Sequence, residues 1–245
     1  MMDSHVMSLT ELVVALHKAG VFNTEYYGPV RAHQDFPDAP LSPFYVNLRT
    51  EAHPKKPGPV TQELVVQIAY QLALLMDEEY PAKPPGRICG LPDAGLPFVE
   101  MISQMRSLEI QPLAKEQLED GIRRIVPPPK SEWPELTRQT TLACFDDVVT
   151  RADTKIEGAT AGRAMGYLVR HVFVFCDRSN GGAADALAAH DLIMRAVLND
   201  HKLFSILADA GVISEAKATE CVNYKHALEA HILDTRRSLD SSSGD

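Results

Sequence analysis

No run of about 18 consecutive apolar residues occurs in this 245-residue chain, so a membrane-spanning helix is not expected. Met1 to Ser8 lacks the basic start and apolar stretch of a secretory signal. A basic excess is also missing. The net charge of -9 argues against a general nucleic-acid binder, because proteins that track phosphate backbones carry surplus cations. A small anionic ligand is not excluded, since a pocket is built from local charges. The four cysteines, Cys89, Cys144, Cys176 and Cys221, form no C-x-x-C pair, and three of them fall in apolar runs. They read as buried free thiols in a reducing, cytoplasmic setting. The nine histidines form no H-E-x-x-H or comparable cluster, so no dedicated metal site is expected.

What is present is ordinary for a globular protein: 45% hydrophobic and 23% charged residues, enough for one domain of α/β size. Apolar positions recur at helical spacing over residues 9–19 and stop at Gly20, a residue suited to ending a helix. A proline-rich loop follows, within which residues 43–48 read as a short strand. Thr61 opens a long amphipathic helix, with Leu64, Val65, Ile68, Leu72, Leu75 and Met76 on one side and Pro81, Pro84 and Pro85 ending it. Thereafter the period changes. Buried strands are expected at 87–91, 141–145 and 169–176, with a weaker one at 108–113, and helices at 96–105, 155–167, 184–198 and 214–231. A short strand or helix start is expected near 203–207, and the Ser-rich tail from 238 onward reads as disordered. Strands alternating with helices imply a parallel sheet covered on both faces, with ligands bound at the carboxyl ends of the strands.

That rule singles out three places: Pro92 to Gly95, Asp146 to Thr154, and Asp177 to Gly182. In the second, an apolar strand delivers Asp146 and Asp147 to its end, and a short loop opens a helix whose amide hydrogens suit a phosphate. Two adjacent acids can grip two vicinal hydroxyls, or one hydroxyl and a metal; they are also common as an acidic cap before a helix. Arg178 presents a planar fork that fits a carboxylate, whether on a ligand or on Asp177 or Asp185. Phe44 and Tyr45 suit either stacking on a base or packing.

The run Phe145 to Thr150, with its paired acids, resembles the phosphoribosyl-diphosphate (PRPP) motif of type I phosphoribosyltransferases. Three further segments, in the right order, resemble the orotate branch of that family: Ser42 to Leu48, the Gly90 to Pro97 loop, and Asp177-Arg178. The resemblance covers about residues 9 to 230 and implies a type I phosphoribosyltransferase fold: an α/β core with a central parallel sheet flanked by helices and a small N-terminal hood. The implied division is an N-terminal helix and hood over 1–60, the core over 61–236 and a disordered tail over 237–245. The implied reaction joins orotate to PRPP, giving orotidine monophosphate and pyrophosphate in pyrimidine nucleotide biosynthesis, with Mg2+ carried by PRPP and a homodimeric assembly. In it Asp146 and Asp147 hold ribose hydroxyls, and Thr150, Arg151, Ala152, Asp153 and Thr154 surround the 5′-phosphate. Pro92, Asp93, Ala94 and Gly95 receive pyrophosphate, Arg178 meets the base carboxylate, Phe44 and Tyr45 lie near the base, and Lys115 neutralises the leaving group.

The chain departs from the family pattern at three points. Ala152 replaces a glycine of the phosphate loop, and Asp153 stands where a small hydroxyl residue is usual. A carboxylate about 4 Å from a phosphate charge costs about 4 kcal/mol at an effective dielectric of about 20, unless Arg151 or Lys155 offsets it. The segment 111–121 resembles the cationic catalytic loop shortened by about three residues: Lys115 is kept, and Leu118 and Asp120 replace expected polar or basic residues. These departures fit a slow transferase, a transferase for another acidic base, or an inactive relative that binds a nucleotide or PRPP for regulation.

Overall fold

Strands and helices alternate along the chain much as the apolar periods predict, and a computed structural model describes residues 6–117, 123–136 and 139–242. In chain order the elements are α1 (Leu9–Lys18), β1 (Phe22–Asn23), β2 (Tyr45–Val46), α2 (Gln62–Glu79), β3 (Arg87–Gly90), α3 (Leu96–Arg106), β4 (Ala114–Gln117) and β5 (Arg123–Val126). They continue with β6 (Leu142–Val149), α4 (Asp153–Ala164), β7 (His171–Asp177), α5 (Gly182–Ala188), β8 (Ile193–Asn199), α6 (Asp200–Asp209) and α7 (Glu215–Ser242). The chain forms two compact units, one of residues 1–12 and 48–199, the other of 13–47 and 200–245. Each unit is built from two separate stretches of the chain.

In the larger unit a four-stranded sheet runs β3-β6-β7-β8, and all three of its pairings are parallel. An isolated parallel bridge from Ile88 to Ile110 is all that forms of the weak strand expected at 108–113. The period of two splits β6 between faces. Leu142 and Cys144 join a cluster with Ala159 and Ala161 of α4 and Leu187 of α5. On the other face Phe145 stacks on Phe173 at 5.0 Å, and α2 and α3 cover the sheet. Burial on both faces explains why β6 and β7 read as continuous apolar runs. Cys89 and Cys144 are register partners across the β3–β6 seam, both fully buried, with their sulfurs 3.3 Å apart.

Thr61 caps α2, its hydroxyl accepting from the Leu64 amide at 3.3 Å. The charged segment after α3 folds into an antiparallel hairpin, β4 against β5. The helix expected over 184–198 is instead α5 followed by the edge strand β8; the chain turns through Asp191 in a left-handed conformation (φ 56) between them. In the smaller unit β1 pairs with β2, Phe44 packs edge-on against Phe204 at 4.7 Å, and residues 203–207 lie inside α6. The tail expected to be disordered from 237 is helical through Ser242, as the end of α7. Among the described residues no helix is long and apolar enough to cross a membrane.

Candidate functional site

Because the sheet is parallel, Gly90, Val149, Asp177 and Asn199 all end their strands at one edge. After β3 the chain passes to the Ile110 side and then returns across β3 to β6, so the strand order reverses there, where open α/β sheets bind ligands. Three loops emerge at this edge.

The first loop, after β3, is pinned to β6: the Leu91 amide donates to the Phe145 carbonyl at 2.8 Å and the Gly95 amide to the Leu91 carbonyl at 2.9 Å. A side chain at position 95 would stand 2.4 Å from the Phe145 oxygen, and one at 90 would stand 2.7 Å from Gly95. Both glycines are therefore required by close backbone approach. Asp93 forms an ion pair with Lys115 of β4 at 3.2 Å, each about one-third exposed. The hairpin thus carries its lysine to the loop expected to receive pyrophosphate. Leu118, Asp120 and Gly121 lie outside the described residues. A cavity of about 300 Å³ opens beside this loop, lined in part by Arg49, Thr50, His53, Asp93, Ala94 and Glu100; none of residues 146–154 lines it.

The second loop follows β6. Asp146 and Asp147 are neighbours on a strand and so face opposite sides of the sheet. Asp146 continues the row of Leu142 and Cys144, on the face that α4 covers. There its Oδ2 pairs with Lys155 Nζ at 2.6 Å, both residues being buried, and its Oδ1 accepts from the Asp147 amide at 3.0 Å. Lys155 also donates to the Val148 carbonyl at 2.7 Å. Both acids were expected to reach a sugar; in this structure Asp146 faces inward and is held there by a cation. Asp147 is half-buried, and the Val148 amide donates to its Oδ1 at 2.6 Å. Burial first, then the Asp146 charge, pushes its carboxyl up to about 7.

Lys155 is likewise not the cation that offsets Asp153, because Asp146 and Val148 occupy it. Asp153 is exposed at the first position of α4, after Ala152, which occupies the cap position without a side-chain capping bond. Ala152 sits at φ -79, so this turn asks for no glycine. The amides of Asp153 and Thr154 begin α4, where backbone N–H groups have no partner within the helix. Thr150, Arg151 and Thr154 are exposed around them.

The third loop follows β7. The Arg178 amide donates to the Val149 carbonyl at 2.8 Å, placing Arg178 beside the end of β6. Asp177 Oδ1 accepts from the Ser179 amide at 2.7 Å, and the Ser179 hydroxyl accepts from the Ala183 amide at 3.1 Å, so both side chains shape the turn into α5. Phe44 is buried against Phe204 and Tyr224 in the smaller unit, so its ring is not available for stacking on a base. Tyr45 is 38% exposed, with its ring 5.3 Å from that of Tyr26. Among the described residues no group of three or more His, Cys, Asp or Glu is placed to hold a metal.

Lys155 is the residue that sequence reasoning misplaced. The signal was available: period two separates the paired acids, and a helix starting at 153 turns its third residue back toward the strand.

A parallel sheet flanked by helices, with an acidic strand end leading through a short loop into a helix, is the fold of the type I phosphoribosyltransferases. No protein-family model matches the sequence. Among solved structures the chain is similar to UMP synthase from Leishmania donovani (20% identity, TM-score 0.62), the match covering 89% of this chain and 42% of that one. It is also similar to the orotate phosphoribosyltransferases of Aeropyrum pernix (17%, TM-score 0.59, 83% of this chain and 99% of that one) and Francisella tularensis (15%, TM-score 0.58, 87% and 96%). The chain therefore spans less than half of the UMP synthase and nearly all of the other two.

Proposed function

We propose that this protein binds PRPP at the carboxyl edge of its parallel sheet and transfers the phosphoribosyl group to a carboxylated base, orotate. The observation that carries this reading is the convergence of three loops at the β3–β6 reversal. The loop after β3 is pinned to β6, Asp147 lies two residues before the end of β6 on the face opposite Asp146, and Arg178 is tied to Val149. In this reading Asp147 accepts from ribose hydroxyls, the α4 amides take the 5′-phosphate, and Arg178 forks onto the base carboxylate. Lys115, already beside Asp93, moves onto the departing pyrophosphate, where charge builds as the anomeric carbon–oxygen bond breaks and the carbon–nitrogen bond forms. Magnesium enters on PRPP, and a homodimer in the cytoplasm belongs to the same proposal.

The test mixes protein, magnesium, PRPP and orotate and follows the loss of orotate absorbance. Turnover supports the proposal. Absence of both turnover and calorimetric PRPP binding overturns it. PRPP binding without turnover, over a panel of acidic bases, favours a second reading, a regulatory binder. The inward-held Asp146 supports that reading, since it leaves one acid where two were expected.

A further inference from the structure

A lysine and an aspartate buried together at the edge of a ligand crevice are costly to desolvate, and such a pair often stabilises less than apolar residues would. Lys155 and Asp146 are such a pair, each less than a tenth exposed and joined at 2.6 Å. The lysine starts the third position of α4 and reaches back seven residues to the Val148 carbonyl. Its bonds therefore close the loop 150–152 between strand and helix.

We propose that Lys155 is a positioning residue: by holding Asp146 on the α4 face and clasping α4 to β6, it leaves Asp147 as the one carboxylate of the pair presented to a ligand hydroxyl. The inference rests on the phosphoribosyl reading of the same site, and it assigns the acid that reads the sugar. The charged groups acting on Asp147 are Asp146 from its own strand and Lys155 from α4. The flanking strands contribute Gly90, at the end of β3, and Val174 and Cys176 of β7. Asp146 raises the Asp147 carboxyl and Lys155 lowers it, Asp146 having the larger effect. Removing the lysine alone must therefore delay ionisation of Asp147, and removing both must advance it.

The experiment follows the carboxyl carbon of Asp147 by NMR across pH in protein carrying labelled aspartate, with PRPP affinity measured by calorimetry over the same range. The wild-type midpoint is expected at about 7. Lys155→Met is expected to move it up by about one pH unit, and to weaken PRPP binding at pH 7 about tenfold. In Asp146→Asn/Lys155→Met the midpoint falls below that of wild type, and PRPP affinity returns to within about threefold. A Lys155→Met midpoint equal to or below wild type overturns the proposal. Should that variant fail to fold, the double variant decides: a midpoint not below wild type is then the overturning result. A protein that binds no PRPP overturns the phosphoribosyl reading, while the carbon titration still supports or overturns the role of Lys155.

Discussion

Asp146 and Asp147 are chemically identical and adjacent, yet the sheet gives them different tasks. One faces α4 and a lysine; the other is half-buried, with its neighbour's charge pressing on it. The Asp147 carboxyl is raised from 3.8 to about 7, so the native protein holds a proton there that the unfolded chain has released. Between those values the folded state binds more protons, and stability attributable to this group falls as pH rises, then levels off above about 7. Asp147→Asn removes that slope. Its melting temperature should match wild type near pH 4 and exceed it at pH 7.5, by about 1–3 kcal/mol of stability. Thermal melts at the two pH values check this, and a gap that narrows with rising pH contradicts it.

At the scale of elements, the loop after β3 and the β4–β5 hairpin differ in what they tolerate. Gly95 lies against backbone atoms of β6 and of its own loop, which have no room to retreat. Gly95→Ala should cost about 1–3 kcal/mol, or roughly 2–4 °C per kcal/mol in a melt. The Lys115–Asp93 pair is one-third exposed and contributes under about 1 kcal/mol to stability. Lys115→Ala should accordingly leave the melt almost unchanged, while the proposed transfer slows about 100-fold in kcat with little change in KM for PRPP. Long apolar stretches were legible at this scale: α2, β6 and β7 fall where hydrophobic period and proline placed them. The edge strand β8 was not. Residues 184–198 are rich in alanine and leucine, and only the exposed backbone edge of β7 makes Ile193–Asn199 a strand. The hairpin also read as a loop, because Lys115, Glu116, Arg123 and Arg124 carry no alternation of apolar residues. Likewise α7 extends through a polar tail whose composition alone argued for disorder.

For the whole molecule, the order of the site segments along the chain was readable, because motifs and strand ends are local. Their assembly was not, since the inward turn of Asp146 depends on α4 folding back over β6. A ligand bound at three loops belonging to three strands should stabilise the entire larger unit. PRPP with magnesium at about 100 times its dissociation constant should add about 2.7 kcal/mol. A dye-monitored melt shows this as a rise of about 5–10 °C. The sulfur pair between β3 and β6 gives the same event a chemical clock. All four cysteines are buried, the hydrogen bond with Cys144 and then burial raise the Cys89 thiol, and burial raises that of Cys221, so an alkylating reagent has little access to sulfur in the folded chain. Carbon–sulfur adducts at Cys89 and Cys144 then accumulate only in molecules whose central strands have come apart, and mass spectrometry can count how often that happens with and without PRPP.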